Sequence, residues 1–312
     1  MAVTFSVPRK RPAAPQATNG HVPHRNGLSF EGTNHTTALL IHGLTGAPSE
    51  MKFLATFFHR QGYSVLCPRL ANHGTPMETL QKTTWQDCYE SVREAFAKID
   101  AQRQTEHLFV AGLSMGALLA LLLVEEFPDR IAGVSCLSPT LFYDGWNVPR
   151  SRYWLPILYR TPLLRDMLYF KEEPPYGIKD EALRKRVHAF YRDAKLHDAD
   201  GVAQYGYPYI PVSLLYQLHL LVKHLSKKLP RITAPVQLLQ ARHDDMTSVK
   251  NSQFIYDRIG STRKEIVFLE DSYHVITVDR ERALVAQNVG EFFGRLRSQR
   301  HGTHAHGNSA KH

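Results

Sequence analysis

The run Phe109-Val110-Ala111-Gly112-Leu113-Ser114-Met115-Gly116-Ala117-Leu118 constrains this chain more than any other feature. An apolar strand ends, Gly-x-Ser-x-Gly forces a sharp turn, and an apolar helix begins at once. The flanking positions must be glycine because the turn strains the serine backbone and packs too closely for side chains. The serine hydroxyl is thereby lifted off the end of the strand. The helix that follows aims its backbone N–H groups and its positive dipole end at the same spot. Ser114 is therefore a candidate nucleophile.

Around that turn the chain alternates short apolar strands with helices. Ala38 to Ile41 reads as a strand, Ser49 to Gln61 as a helix stopped by Gly62, and Tyr63 to Cys67 as the next strand. Thr84 to Lys98 has helical spacing at Trp85, Cys88, Tyr89, Val92 and Phe96. His107 to Ala111 reads as a strand, Ala117 to Phe127 as a helix and Ile131 to Leu137 as a strand. The pattern breaks near Thr140 and resumes at Val236 to Gln240, Phe254 to Ile259, Glu265 to Leu269 and Arg282 to Leu296. Such alternation predicts an α/β chain with a mostly parallel central sheet and helices on both faces. The interruption is rich in Trp and Tyr and is expected to be a large, mainly helical cap. The division is then a flexible basic N-terminal tail at 1–30, core at 31–141, cap at 142–231, core at 232–300 and a flexible tail at 301–312.

Three further motifs supply what a serine nucleophile needs. His42-Gly43-Leu44-Thr45-Gly46 follows the first strand. The negative oxygen of a tetrahedral intermediate is usually held by two backbone N–H donors, and Leu44 and Met115 are the candidates. His42, Gly43 and Trp146 are candidate substrate contacts. Gln240-Ala241-Arg242-His243-Asp244-Asp245 closes a late strand, and either aspartate qualifies by type to orient an imidazole. Asp271-Ser272-Tyr273-His274-Val275-Ile276 follows the last strand. Among 17 histidines, His274 stands out because it completes the chain order Ser, Asp, His.

From Ala38 to Thr140 and from Ala234 to Phe293, about half its length, the chain resembles the bacterial carboxylesterase and monoacylglycerol lipase branch of the α/β-hydrolases. The residues that carry the resemblance are His42-Gly43-Leu44-Thr45-Gly46, Gly112-Leu113-Ser114-Met115-Gly116, Gln240-Ala241-Arg242-His243-Asp244, and His274-Val275-Ile276-Thr277 with Asp279. The resemblance implies the α/β-hydrolase fold. It gives the triad roles to Ser114, Asp244 and His274, choosing Asp244 over Asp245, with Leu44 and Met115 as oxyanion donors. The chain departs from the pattern in its long insertion, in Ala117 after the turn, and in Asn72-His73-Gly74 where Gly-His-Gly is frequent.

Composition narrows the rest. The longest apolar run, Ala117 to Val124, is far below the ~20 residues of a spanning helix. Three scattered cysteines, Cys67, Cys88 and Cys136, lack metal-ligand spacing and suit a reducing compartment, so a cytoplasmic location is expected. Nothing invokes a metal or an organic cofactor. The formal charge is +9, and residues 142–231 carry 15 basic against 9 acidic groups. That surplus suits peripheral contact with an anionic membrane surface or an acyl carrier protein, while no nucleic-acid motif accompanies it. The leading expectation is hydrolysis of a medium- or long-chain carboxylic ester or lipid through an acyl-serine intermediate. The alternative is an acyl thioesterase or acyltransferase acting on a carrier-bound or CoA-bound acyl group.

Overall fold

A computed structural model of the chain describes residues 27–101, 105–193 and 206–307. Along the chain, β1 (Leu28–Phe30) leads to β2 (Thr36–Ile41), α1 (Lys52–Arg60) and β3 (Ser64–Cys67). There follow α2 (Met77–Leu80), α3 (Trp85–Ala101), β4 (His107–Leu113), α4 (Met115–Glu126) and β5 (Ile131–Leu137). An insertion holds α5 (Leu155–Arg160), α6 (Pro162–Met167), β6 (Tyr169–Lys171), α7 (Glu181–Asp193), β7 (Tyr209–Pro211) and α8 (Val212–Ser226). Then come β8 (Val236–Ala241), α9 (Lys250–Arg258), β9 (Lys264–Leu269) and α10 (Arg282–Gly307). The main sheet runs β1-β3-β2-β4-β5-β8-β9 and is parallel except for β1.

Period-two alternation explains how one sheet serves two cores. Leu39, Ile41, Val110, Val134, Cys136, Val236 and Leu238 point to the face covered by α3, α4, α8 and α9. Ala38, Leu40, Phe109, Ala111, Leu113, Leu137 and Leu239 point to the other face, under α1 and α10. There the Phe293 ring stacks on Phe109 at 4.4 Å and on Phe58 at 5.5 Å. Helix α4 is apolar on every side because it lies between the sheet and α8, and Met115 through Val124 are all buried. Gly62 ends α1 as expected, with φ +85° and its N–H bonded to the His59 carbonyl at 2.9 Å.

Several sequence expectations change here. Leu28–Phe30, assigned to the N-terminal tail, pairs antiparallel with β3, while residues 1–26 lie outside the described residues. Helix α10 runs into the segment assigned to the C-terminal tail and ends at Gly307, with 308–312 outside the described residues. Beside its helices the insertion also holds a short antiparallel ribbon of β6 and β7. Most of α8 is core: Leu214, Leu218, Leu221 and Leu225 are buried with α3 and α4. Among the described residues no helix is long and apolar enough to cross a membrane.

Candidate active site

β4 stops at Leu113 and α4 starts at Met115, so the whole reversal falls on Ser114, with φ 57° and ψ −117°. A non-glycine residue held there costs on the order of 1–3 kcal/mol, which the surroundings must offset. The Ser114 N–H donates to the Leu137 carbonyl (2.8 Å), and its carbonyl accepts the Ala117 N–H (3.1 Å). A Cβ on Gly112 would run into the Gly116 carbonyl, and one on Gly116 into the Ile41 carbonyl. Only glycines let strand, turn and helix pack this closely.

Three loops at the carboxyl ends of β4, β8 and β9 bring Ser114, Asp244 and His274 together. His274 Nε2 lies 3.1 Å from Ser114 Oγ, and Nδ1 lies 2.8 Å from Asp244 Oδ2. That pairing fixes the neutral tautomer: Nδ1–H donates to Asp244 and Nε2 accepts from the serine hydroxyl. Asp244 Oδ1 also accepts the backbone N–H groups of Met246 and Thr247, each at 2.8 Å. Its Oδ2 accepts from Gln240 Nε2 (2.8 Å) and Thr247 Oγ1 (2.9 Å). Burial acts to lower the His274 pKa, but the charge of Asp244 and the hydrogen bond to it outweigh that, with help from Asp245 and Glu50. The net shift is upward from 6.5. The Thr140 hydroxyl, which no motif marks, pairs with Ser114 Oγ at 2.9 Å.

Asp245 turns away from the imidazole. It accepts the Gly177 N–H at 3.1 Å and, more weakly, the His274 backbone N–H at 3.4 Å. Burial and the neighbouring Asp244 raise its carboxyl from 3.8 to about 6.

Gly43 and Leu44 line the cavity that contains Ser114 and His274, of about 240 Å³. Met115 opens α4, where a backbone N–H has no intrahelical acceptor. His42 is corrected. It is fully buried, its Nε2 accepts the Leu70 N–H (3.1 Å), and its Nδ1 lies 3.0 Å from the Gly43 carbonyl. Burial, with His73 beside it, drives its pKa well below 6.5, so the ring is a neutral brace for the loop rather than a substrate contact. His73 Nε2 braces the same loop at the Leu44 carbonyl (2.6 Å). Trp146 is corrected too: 59% exposed, it donates from Nε1 to the His243 carbonyl (2.9 Å) and does not line this cavity.

Two carboxyls that the motifs do not reveal also line the cavity. Glu50 accepts the Gly43 N–H at 3.2 Å, and burial raises it from 4.5 to about 7. Glu172 accepts from Thr45 Oγ1 at 3.4 Å, and burial followed by the charges of Glu50 and Asp245 raises it to about 8. Tyr143, Glu172, Ile210 and Met246 are shared with a second, largely apolar cavity of about 130 Å³ that continues to Val148, Pro149, Leu155 and Phe170.

Comparison with known proteins agrees with this fold. The family model described as serine aminopeptidase, S33, matches residues 32–281. A thermostable monoacylglycerol lipase from a Bacillus species is 32% identical over 257 residues, covering 82% of this chain and 90% of that protein. A carboxylesterase from Bacillus subtilis is 26% identical over 269 residues, covering 86% of this chain and 96% of that protein. A solved structure from a pair of metagenome-derived lipolytic enzymes aligns with a TM-score of 0.71 at 28% identity, covering 88% of this chain and 99% of its own.

Proposed function

The chain belongs to the serine aminopeptidase S33 family of α/β-hydrolases, in its bacterial carboxylesterase and monoacylglycerol lipase branch, and on that premise we propose that it hydrolyses carboxylic esters with a Ser114-Asp244-His274 triad. The relay from Ser114 Oγ through His274 (3.1 Å) to Asp244 (2.8 Å) carries this reading. Ser114 Oγ attacks the acyl carbon while His274 Nε2 takes its proton, and Asp244 stabilises the imidazolium. The backbone N–H groups of Leu44 and Met115 receive the oxyanion. The C–O bond to the alcohol breaks, His274 returns the proton to the leaving oxygen, and water then releases the acid from Ser114.

The substrate is a small-molecule ester or lipid whose acyl chain lies in the apolar cavity beyond Tyr143 and Met246. Each methylene buried there contributes about 0.8 kcal/mol, so four carbons add about 3 kcal/mol. A panel of p-nitrophenyl esters, monoacylglycerols and acyl thioesters tests this. The specificity constant is expected to climb with chain length and fall once the cavity is full. A flat profile, or a preference for acetate, contradicts the assignment. Thioesters cleaved faster than matched oxygen esters would favour the alternative, which neither relative's name supports.

The outer surface of the cap fits a peripheral place on an anionic membrane. Tyr153, Trp154, Ile157 and Leu163 are each more than half exposed, and the same segment carries Arg150, Arg152, Arg160 and Arg165. Arg152 and Leu155 of this segment also line the apolar cavity, which gives an acyl chain a route inward. The three cysteines are unbridged and buried, which supports a reducing compartment such as the cytoplasm.

A further inference from the structure

A groove of about 770 Å³ adjoins the catalytic cavity, sharing Ser49, Leu183 and Val278 with it and no lining residue with the apolar cavity. Four cations line it, Lys52, Arg60, Arg186 and Arg282, against one acid, Asp180. They come from three separate helices. Lys52 and Arg60 stand eight residues apart on one face of α1, Arg186 is on α7, and Arg282 opens α10. Phe53 and Phe57 give the groove an apolar lining, and the Arg282 guanidinium lies 5.5 Å above the Phe53 ring. Among the described residues no ion pair engages Lys52, Arg60 or Arg186. Like charges gathered in one concavity repel one another, and an anion seated among them removes that cost.

The position fixes which part of an ester the groove can meet. In the first half-reaction the leaving oxygen must come within hydrogen-bond reach of His274 Nε2 to receive its proton. Val275 and Val278, on the His274 loop, line the catalytic cavity, and Val278 continues into the groove. The acyl chain is assigned to the apolar cavity past Tyr143 and Met246, which shares no lining residue with the groove. Glu50 and Glu172 face the catalytic cavity rather than the groove, so neither carboxyl opposes an anion held there.

Resting on the ester-hydrolase reading, we infer that this groove binds a phosphate carried by the alcohol part of the substrate, so that the enzyme accepts acyl esters of a phosphorylated polyol such as a 1-acylglycerol phosphate. Ser114 Oγ forms the bond to the acyl carbon, and the C–O bond to glycerol phosphate breaks. His274 protonates the departing oxygen, and one water completes the cycle to give a fatty acid and glycerol phosphate.

The test compares 1-oleoylglycerol 3-phosphate, 1-oleoylglycerol and oleoyl-CoA in neutral detergent micelles, with wild type, Arg60→Glu/Arg186→Glu and Arg60→Gln/Arg186→Gln. Circular dichroism checks that each variant is folded. In the charge reversal, the ratio of kcat/KM for the phosphate ester to that for the neutral ester is expected to fall about tenfold or more, mostly through KM. The glutamine pair should fall between, and added salt should lower the wild-type ratio. A ratio unmoved by either variant overturns the inference. So does a loss confined to oleoyl-CoA, which would assign the groove to a different phosphate carrier. Hydrolysis of the neutral ester alone sinks this inference but not the ester reading, whereas no hydrolysis of any oleoyl ester or of any p-nitrophenyl ester in the panel sinks the reading beneath it.

Discussion

Asp244 and Asp245 are neighbours of the same chemical type, yet the loop after β8 gives them different partners. Asp244 meets the His274 imidazole, and Asp245 meets backbone N–H groups. Asp244→Asn should therefore lower turnover by roughly 10⁴, because an amide there favours the wrong tautomer. Asp245→Asn should cost far less, and equal losses would mean the wrong aspartate was chosen. The pH profile separates them further. The base must be neutral, and His274 is raised above 6.5, so the acidic limb of kcat/KM should lie above 6.5. Asp245, ionised above about 6, adds to that upward shift, so its asparagine variant should move the limb to lower pH. A limb that stays in place contradicts the electrostatic role. Ser114, Asp244 and His274 were legible because each sits at a strand end in a motif. The same logic misread His42, since a motif fixes a residue's position on the chain and not the side of the loop its ring packs against. Glu50 and Glu172 were illegible: they enter the cavity from segments 122 residues apart that carry no motif.

Among the elements, α8 separates periodicity from placement. Its leucines recur at helical spacing, which tells that one face is buried but not what covers it. Leu214, Leu218, Leu221 and Leu225 pack on α4 and α3, whereas Leu215 lines the apolar cavity. Leu221→Ala should destabilise the fold by about 2–5 kcal/mol in urea titrations, with the acyl-chain profile unchanged. A shifted chain-length preference with little loss of stability would place Leu221 in the apolar cavity instead of the core. The strands and helices of the core were readable because buried parallel strands are apolar runs with helices between. The ribbon of β6 and β7 was not, because three-residue strands are too short to display a period. The edge strand β1 was hidden for the same reason.

For the molecule as a whole, the proposed membrane-facing segment combines exposed Tyr153, Trp154, Ile157 and Leu163 with Arg150, Arg152 and Arg160. It should bind anionic vesicles more tightly than neutral ones, with added salt weakening the difference. Trp154→Ser with Leu163→Ser should weaken binding to both, and equal wild-type affinity for the two vesicle types would reduce the basic surface to solvation. The fold and the positions of Ser114, Asp244 and His274 could be anticipated without coordinates, whereas an apolar cavity and a basic groove that adjoin the catalytic cavity through different residues could not. That arrangement depends on where an insertion of 90 residues folds back over the sheet edge, which local patterns do not encode. All of it presupposes a covalent acyl group on Ser114, and acid-quenched mass spectrometry of the protein during turnover of a p-nitrophenyl ester tests that most directly. One acyl group per chain should appear on the Ser114 peptide and be absent from folded Ser114→Ala, whose turnover should drop on the order of a millionfold. An acyl group on another residue, or hydrolysis that persists in that variant, would contradict the account.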